Sequence, residues 1–232
     1  LDFGEKGFPG ILVETIAIFI NNLAAPANTK VFSLTHRLHL TQPQAYIFDP
    51  ELPYWIIYRN QLFDSVCRKL DFDVFEVFRD RQLTNKLLSS SGELRVLKSR
   101  NLSDDGKEIL DIPGYDSYIS YAAAKPLSVF QYLDAPNVYL TPNMTYKPRM
   151  MKKPPHCVVN GSLAILIPKG GIVPTEKQLA YFSSEEYRAF YQIARNFQTR
   201  SLNVYGLLRD EPKSSRSDST EPIQLSLDDC VK

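Results

Sequence analysis

The stretch Val138–Lys169, NVYLTPNMTYKPRMMKKPPHCVVNGSLAILIPK from Asn137 onward, constrains this chain more than any other. Its two apolar runs, Val138–Leu140 and Leu163–Ile167, have the length and β-branched content of buried strands rather than helices. Between them Pro142, Pro148, Pro154 and Pro155 exclude a helix and stiffen the connection. The same connection carries Tyr146, Lys147, Arg149, Lys152 and Lys153 and no acidic residue. The pattern predicts a sheet core holding out a rigid cationic and aromatic arm. Asn143, Thr145, Asn160 and Ser162 fall where the strands begin or end, with hydrogen-bonding groups available. Such an arm suits a phosphate backbone with base edges beneath it, and an ordinary basic β-hairpin accounts for the same residues.

Charge along the chain sharpens this. The formal net charge is only +1, yet residues 141–203 hold nine Lys and Arg against three Asp and Glu. A local surplus in a neutral whole fits a focused site for an anionic ligand. Two further polar clusters join it: Arg79, Asp80, Arg81, Gln82, Thr84 and Asn85, and the strand end at Lys98, Arg100 and Asn101. A third, RNFQTRSLNV, contains Arg195, Gln198 and Arg200.

Ile11–Asn22 reads as one long strand buried on both faces, with a helix as the alternative. Asn21–Thr29 reads as a turn and Val31–Leu40 as a paired strand. Apolar spacing at Leu62, Phe63, Val66 and Leu70 predicts a helix over Tyr58–Leu70, with Trp55, Ile56 and Ile57 beneath it. Asp73–Phe78 reads as a short strand or link, Leu94–Asn101 as a strand, and Asp105–Gly106 as a hairpin turn. Ser183 and Glu186 have the spacing of a capping box for a helix that buries Tyr187, Phe190, Tyr191 and Ala194. The Ser-, Asp- and Pro-rich end beyond about Arg209 lacks the apolar content to fold and is expected to be a disordered tail.

Several chemistries are excluded. The chain has no GxGxxG, P-loop, HExxH or GxSxG pattern, so nothing organises a nucleophile or cofactor. Its three cysteines form no CxxC or Cys/His grouping, which argues against zinc and a disulfide framework and for a cytoplasmic setting. The apolar stretch at residues 11–20 is too short to span a bilayer, and Glu14 interrupts it, so no membrane partner is expected. The sequence begins at Leu1 without Met, which suggests a piece of a longer protein.

Six segments in order, VFRDRQLTNK (from Val77), RVLKSRNL (from Arg95), PGYDSYI (from Pro113), VYLTPNMTYKPR (from Val138), VVNGSLAILIPK (from Val158) and YQIARNFQTRSLN (from Tyr191), carry a family resemblance. Together they resemble the C-terminal half of adenine-N6 DNA methyltransferases of type II restriction–modification systems, Taq-type enzymes and relatives paired with type IIS endonucleases. FPGILVETIAIFINN (from Phe8) is similar to the late strand of their catalytic domain. The resemblance implies an α+β architecture: the end of a catalytic α/β sheet over about residues 1–45, then a mixed twisted sheet with packed helices, the target recognition domain, over 46–207, and the tail over 208–232. It implies double-stranded DNA and a missing N-terminal methyltransferase domain as partners, and S-adenosylmethionine as cofactor of the complete enzyme. The family's Gly-rich cofactor motif and its Asn/Asp-Pro-Pro-Tyr/Phe catalytic motif are absent here. The chain alone is therefore expected to be inactive and to hold no cofactor. A stand-alone or nuclease-associated DNA-binding module and a protein–protein adaptor are the other readings.

Overall fold

A computed structural model describes residues 1–11, 14–20, 27–52, 54–198 and 205–209, and the backbone of 223–226. In chain order come β1 (Asp2–Gly4), β2 (Thr15–Ile16), β3 (Asn28–Ser33), β4 (Leu38–Pro43), α1 (Gln44–Ile47) and α2 (Gln61–Lys69). Next are β5 (Leu70–Asp71), β6 (Phe75–Phe78), β7 (Leu94–Leu97), β8 (Ser117–Ile119), α3 (Tyr121–Ala124) and β9 (Tyr139–Pro142). Then follow β10 (Met151–Lys152), β11 (Cys157–Val159), β12 (Leu163–Pro168), α4 (Glu176–Tyr181), α5 (Glu185–Ala194), β13 (Leu207–Leu208) and β14 (Ile223–Ser226). The class is mixed α+β, with several small sheets and few helices. Contacts divide the chain into two compact units. One comprises Leu1–Ser65, Ile193–Gln198 and Ser214–Lys232, the other Val66–Gln192 and Thr199–Lys213.

The first unit holds a five-stranded sheet in the order β14-β4-β3-β1-β2. Here Val31–Leu40 is two strands and not one. β3 and β4 pair antiparallel from Asn28↔Pro43 to Ser33↔Leu38. The intervening turn places Arg37 at φ 49° and lets Ser33 Oγ accept the His36 N–H at 3.1 Å. Asp2 is fixed by hydrogen bonds from Ser33 and Tyr58, and Arg59 joins Asp49 at 2.8 Å to Asp64 at 2.7 Å over the Tyr46 ring.

The long strand expected over Ile11–Asn22 is corrected. Among the described residues only Thr15–Ile16 pairs, and Ile18, Phe19 and Ile20 are exposed. A strand buried on both faces needs a layer on each side, and the described residues form no such layer over Ile18–Ile20. Leu12, Val13, Asn21 and Asn22 lie outside the described residues. Ile56 is buried as expected, whereas Trp55 is exposed and leans on Phe48, 4.6 Å between ring centroids. Within the stretch expected as a tail, Ile223–Ser226 pairs with β4, while 210–222 and 227–232 lie outside the described residues.

The second unit is built on two sheets. β10-β9-β12-β6 is antiparallel throughout. In β11-β7-β8, β11 runs parallel to β7 and β8 antiparallel to it. Leu94, Val96, Leu97, Ile119, Leu140, Val158, Val159, Leu163 and Ile165 from both sheets share one buried cluster. Each such side chain contributes about 1.5–3 kcal/mol on leaving water, so the two predicted apolar runs are indeed the centre of this core. β5 and β13 form a small separate pair. α5 buries Tyr187, Phe190, Tyr191 and Ala194, as its spacing predicts. Its cap is Ser184, whose Oγ accepts the Tyr187 N–H at 3.1 Å, and not Ser183, which donates to the Asp105 carbonyl at 3.0 Å.

The cationic arm is also corrected. The connection from β9 does not project. It returns as β10 onto β9, Met151↔Leu140 and Lys152↔Tyr139, and then feeds β11 into the other sheet. Pro148, Arg149, Met150 and Lys153 are buried along the way. An extended chain with two methionines and several carbonyl partners gains more by packing than by solvation.

Candidate nucleic-acid interface

The two sheets of the second unit end on one rim, and strand register decides which residues stand there. Phe78 closes β6 opposite Ile165, so Arg79 and Asp80 run beside the start of β12 at Leu163. Leu163 faces Pro142, which brings Asn143 to the same end. Arg79 Nε donates to Asn143 Oδ1 at 2.7 Å, and Asn143 Nδ2 donates to the Gly161 carbonyl at 3.1 Å. Gly161 is required here: a Cβ on it would stand 2.6 Å from the Asp80 carbonyl oxygen. The Asp80 carboxylate accepts the N–H groups of Gln82 at 3.3 Å and Leu83 at 2.8 Å, folding a turn that leaves Arg81 and Gln82 exposed.

The second sheet delivers its own ends to this place. β7 and β11 finish side by side at Leu97 and Val159. Asn160 N–H donates to the Leu97 carbonyl at 3.2 Å, and Ser162 Oγ accepts the Ser99 N–H at 2.9 Å while donating to Asn160 Oδ1 at 2.6 Å. Asn160–Ser162 therefore stitches the 79–82 segment to the 98–101 segment. Two polar clusters far apart in sequence thus share one rim.

The other predicted residues divide by what they touch. Thr84 and Asn85 are exposed beside the rim. Gln82 is exposed, but its Oε1 accepts the Ser128 N–H at 2.7 Å. That bond takes one of the two lone pairs on the amide oxygen that adenine readout uses as its acceptor. Lys98 Nζ donates to the Tyr115 carbonyl and lies 4.1 Å from that ring's centroid. Arg100 is exposed, its guanidinium carbon over the same ring at 4.7 Å. Asn101 is fully buried: it accepts from Lys98 N–H at 3.0 Å and donates to the Leu110 carbonyl and to Asp116, at 3.0 and 2.6 Å. It is a scaffold residue.

In the returning connection, Arg149 is buried and donates to the carbonyls of Lys147, Ser99 and Leu102 at 2.9, 2.9 and 3.2 Å. Burial pushes its guanidinium below the ordinary arginine value, yet it stays charged at any relevant pH. Lys153 is buried as well, Nζ donating to the carbonyls of Leu133 and Pro154 at 2.7 and 2.9 Å, with burial lowering its pKa. Arg149 and Lys153 thus hold backbone carbonyls and do not face solvent. Lys147 pairs with Asp104 at 2.5 Å, a hydrogen bond that lowers the Asp104 pKa. Thr145 Oγ1 accepts the Lys147 N–H at 3.0 Å, shaping a loop whose outer residues Met144 and Tyr146 are 64% and 52% exposed. Lys152 is exposed on β10, opposite Tyr139 and so three strand residues, ~10 Å, back from the rim.

Arg195 is buried and Gln198 half-buried, and both belong to the first unit, whereas the rim belongs to the second. Arg200 lies outside the described residues. Tyr115, which gathers Lys98 and Arg100, escapes sequence reasoning because no spacing marks one tyrosine among three between Tyr115 and Tyr121. Arg81, Lys98 and Arg100 have no carboxylate partner among the described residues.

Among the described residues, no group of three or more His, Cys, Asp or Glu could hold a metal, and no helix is long and apolar enough to cross a membrane. No protein-family model matches the chain, and no curated protein matches it.

Proposed function

We propose that this chain is the DNA-recognition portion of a site-specific adenine-N6 DNA methyltransferase of a restriction–modification system, with S-adenosylmethionine binding and methyl transfer residing in a separate catalytic domain. The supporting observation is the stitch at Asn160–Ser162, which places Arg79, Arg81, Lys98 and Arg100 on one rim. The exposed guanidinium groups of Arg81 and Arg100, with no carboxylate partner among the described residues, suit base edges in the major groove, and the exposed ammonium of Lys152 suits a phosphate. The resemblance in segment order supplies the enzyme class. A stand-alone or nuclease-associated DNA-binding module shares the binding prediction and is separated by whether the complete gene encodes a cofactor motif.

The test is fluorescence anisotropy of the purified chain on a 30-base-pair duplex across a salt series. Log affinity is expected to fall linearly with log salt, by about 0.9 per phosphate contacted. Absence of binding at 50 mM salt, or a flat salt response, refutes the reading and favours a protein–protein adaptor. With tritiated S-adenosylmethionine and duplex the chain alone is expected to transfer no methyl group, and incorporation would place catalysis here after all.

A further inference from the structure

Arg100 differs from every other cation of the rim in how it is held. Its two neighbours are both anchored: Ser99 through its N–H to Ser162 Oγ at 2.9 Å and its carbonyl to Arg149 at 2.9 Å, and Asn101 through a side chain with no exposed surface. The three residues form one 3₁₀ turn, so the Arg100 Cα is fixed while its side chain is the exposed member. That side chain is not left to swing. Its guanidinium lies over the Tyr115 ring, and the ring is itself pinned by Lys98, whose ammonium sits over it and donates to the Tyr115 carbonyl. Tyr115 is further positioned by the next residue, Asp116, which accepts from Asn101 and Arg95 at 2.6 and 3.0 Å.

We propose that Arg100, clamped on Tyr115, is a preorganised guanine-reading fork, a role that rests on the DNA-recognition reading above. A guanidinium with one face covered by an aromatic ring keeps its planar N–H edge available, and that edge matches O6 and N7 of guanine in the major groove. The ring contact narrows rotamer freedom before binding, so less is lost when the two hydrogen bonds form. Among the described residues, the other candidate arginines lack this combination. Arg79 is tied to Asn143, Arg149 is buried on carbonyls, and Arg81 lies over no aromatic ring of the described residues. Lys98 serves as a positioning residue, its ammonium spent on the Tyr115 carbonyl.

The experiment is selection of the full chain on a randomised duplex library, repeated with Arg100→Lys, Tyr115→Phe and Tyr115→Leu. The wild-type chain should select a motif with a G·C pair whose replacement costs about 5- to 150-fold, the range of one bidentate pair. Arg100→Lys keeps the charge and loses the fork, so it should flatten preference at that pair alone. Tyr115→Phe keeps the ring and the motif, while Tyr115→Leu should weaken the same single position. Circular dichroism checks folding of Tyr115→Leu, and Arg100→Lys, at an exposed position, keeps the test decisive if that variant fails to fold. An Arg100→Lys motif identical to wild type, or a uniform loss at all positions, overturns the fork and makes Arg100 a phosphate contact. Wild-type binding without base preference overturns the fork while leaving DNA binding intact. No duplex binding at all overturns the underlying reading, and the fork with it.

Discussion

Replacing Arg149 with Met separates a scaffold arginine from a DNA anchor. Methionine keeps the aliphatic stem and removes the guanidinium that bridges the carbonyls of Lys147, Ser99 and Leu102. The Leu102 residue is buried, so its carbonyl loses a charged donor where water cannot replace it, a cost of about 1–3 kcal/mol. Ser99 is half-buried and adds about 1 kcal/mol, while the Lys147 carbonyl, in an exposed residue, is resolvated at little cost. The expected loss is about 2–4 kcal/mol. For a chain of 232 residues that lowers Tm by about 4–16 °C. Thermal unfolding followed by circular dichroism reads the shift. The salt dependence of duplex binding, measured below the transition, should keep its wild-type slope, because this guanidinium contacts carbonyls and not phosphates. An unchanged Tm together with a slope shallower by about 0.9 would refute the reasoning and return Arg149 to the DNA.

Lys152→Ala should weaken binding equally for all duplex sequences and make the salt slope shallower by about one contact, and an unchanged slope would assign Lys152 to the solvated face alone. Gly161→Ala forces a Cβ onto the Asp80 carbonyl oxygen, 2.6 Å away. It should cost about 1–3 kcal/mol in urea unfolding, and stability equal to wild type would show that the rim yields freely. Glu186 accepts from Lys69 at 2.5 Å and from Tyr181 at 2.9 Å, and the Lys69 hydrogen bond holds its pKa below the ordinary glutamate value. A depressed folded pKa gives stability that is full above the unfolded value of about 4.3 and lost as pH falls through the folded one. Glu186→Gln should therefore be less stable than wild type at pH 7, with the difference shrinking at acid pH, and a difference independent of pH would contradict the pairing.

What the sequence made legible is what local chemistry decides. Val138–Leu140 and Leu163–Ile167 are strands because β-branched runs bounded by prolines have few alternatives, and they pair as neighbours, Ile165↔Leu140. The α5 face follows from spacing alone, and the hairpin at Asp105–Gly106 closes through a Leu102↔Ile109 bridge with Gly106 at φ 72°. Ile11–Asn22 misleads for the opposite reason. Alternating apolar residues state a capacity for two buried faces, while burial depends on layers that the local sequence does not describe.

The site shows the same limit at finer grain. Lys147, Arg149, Lys152 and Lys153 form one cationic run, and composition treats them alike. Their fates differ because the acceptors come from elsewhere in the chain: carbonyls at Ser99 and Leu102 draw in Arg149, and the Leu133 carbonyl draws in Lys153. The inward cations in turn order the outward ones. Arg149 fixes Ser99, and through it the turn that presents Arg100. A cation buried on carbonyls cannot touch DNA, yet it sets the backbone from which another cation reaches. On the proposed DNA-recognition reading, part of the positive charge in this segment thus acts on specificity through geometry, while the remainder acts on affinity through its field.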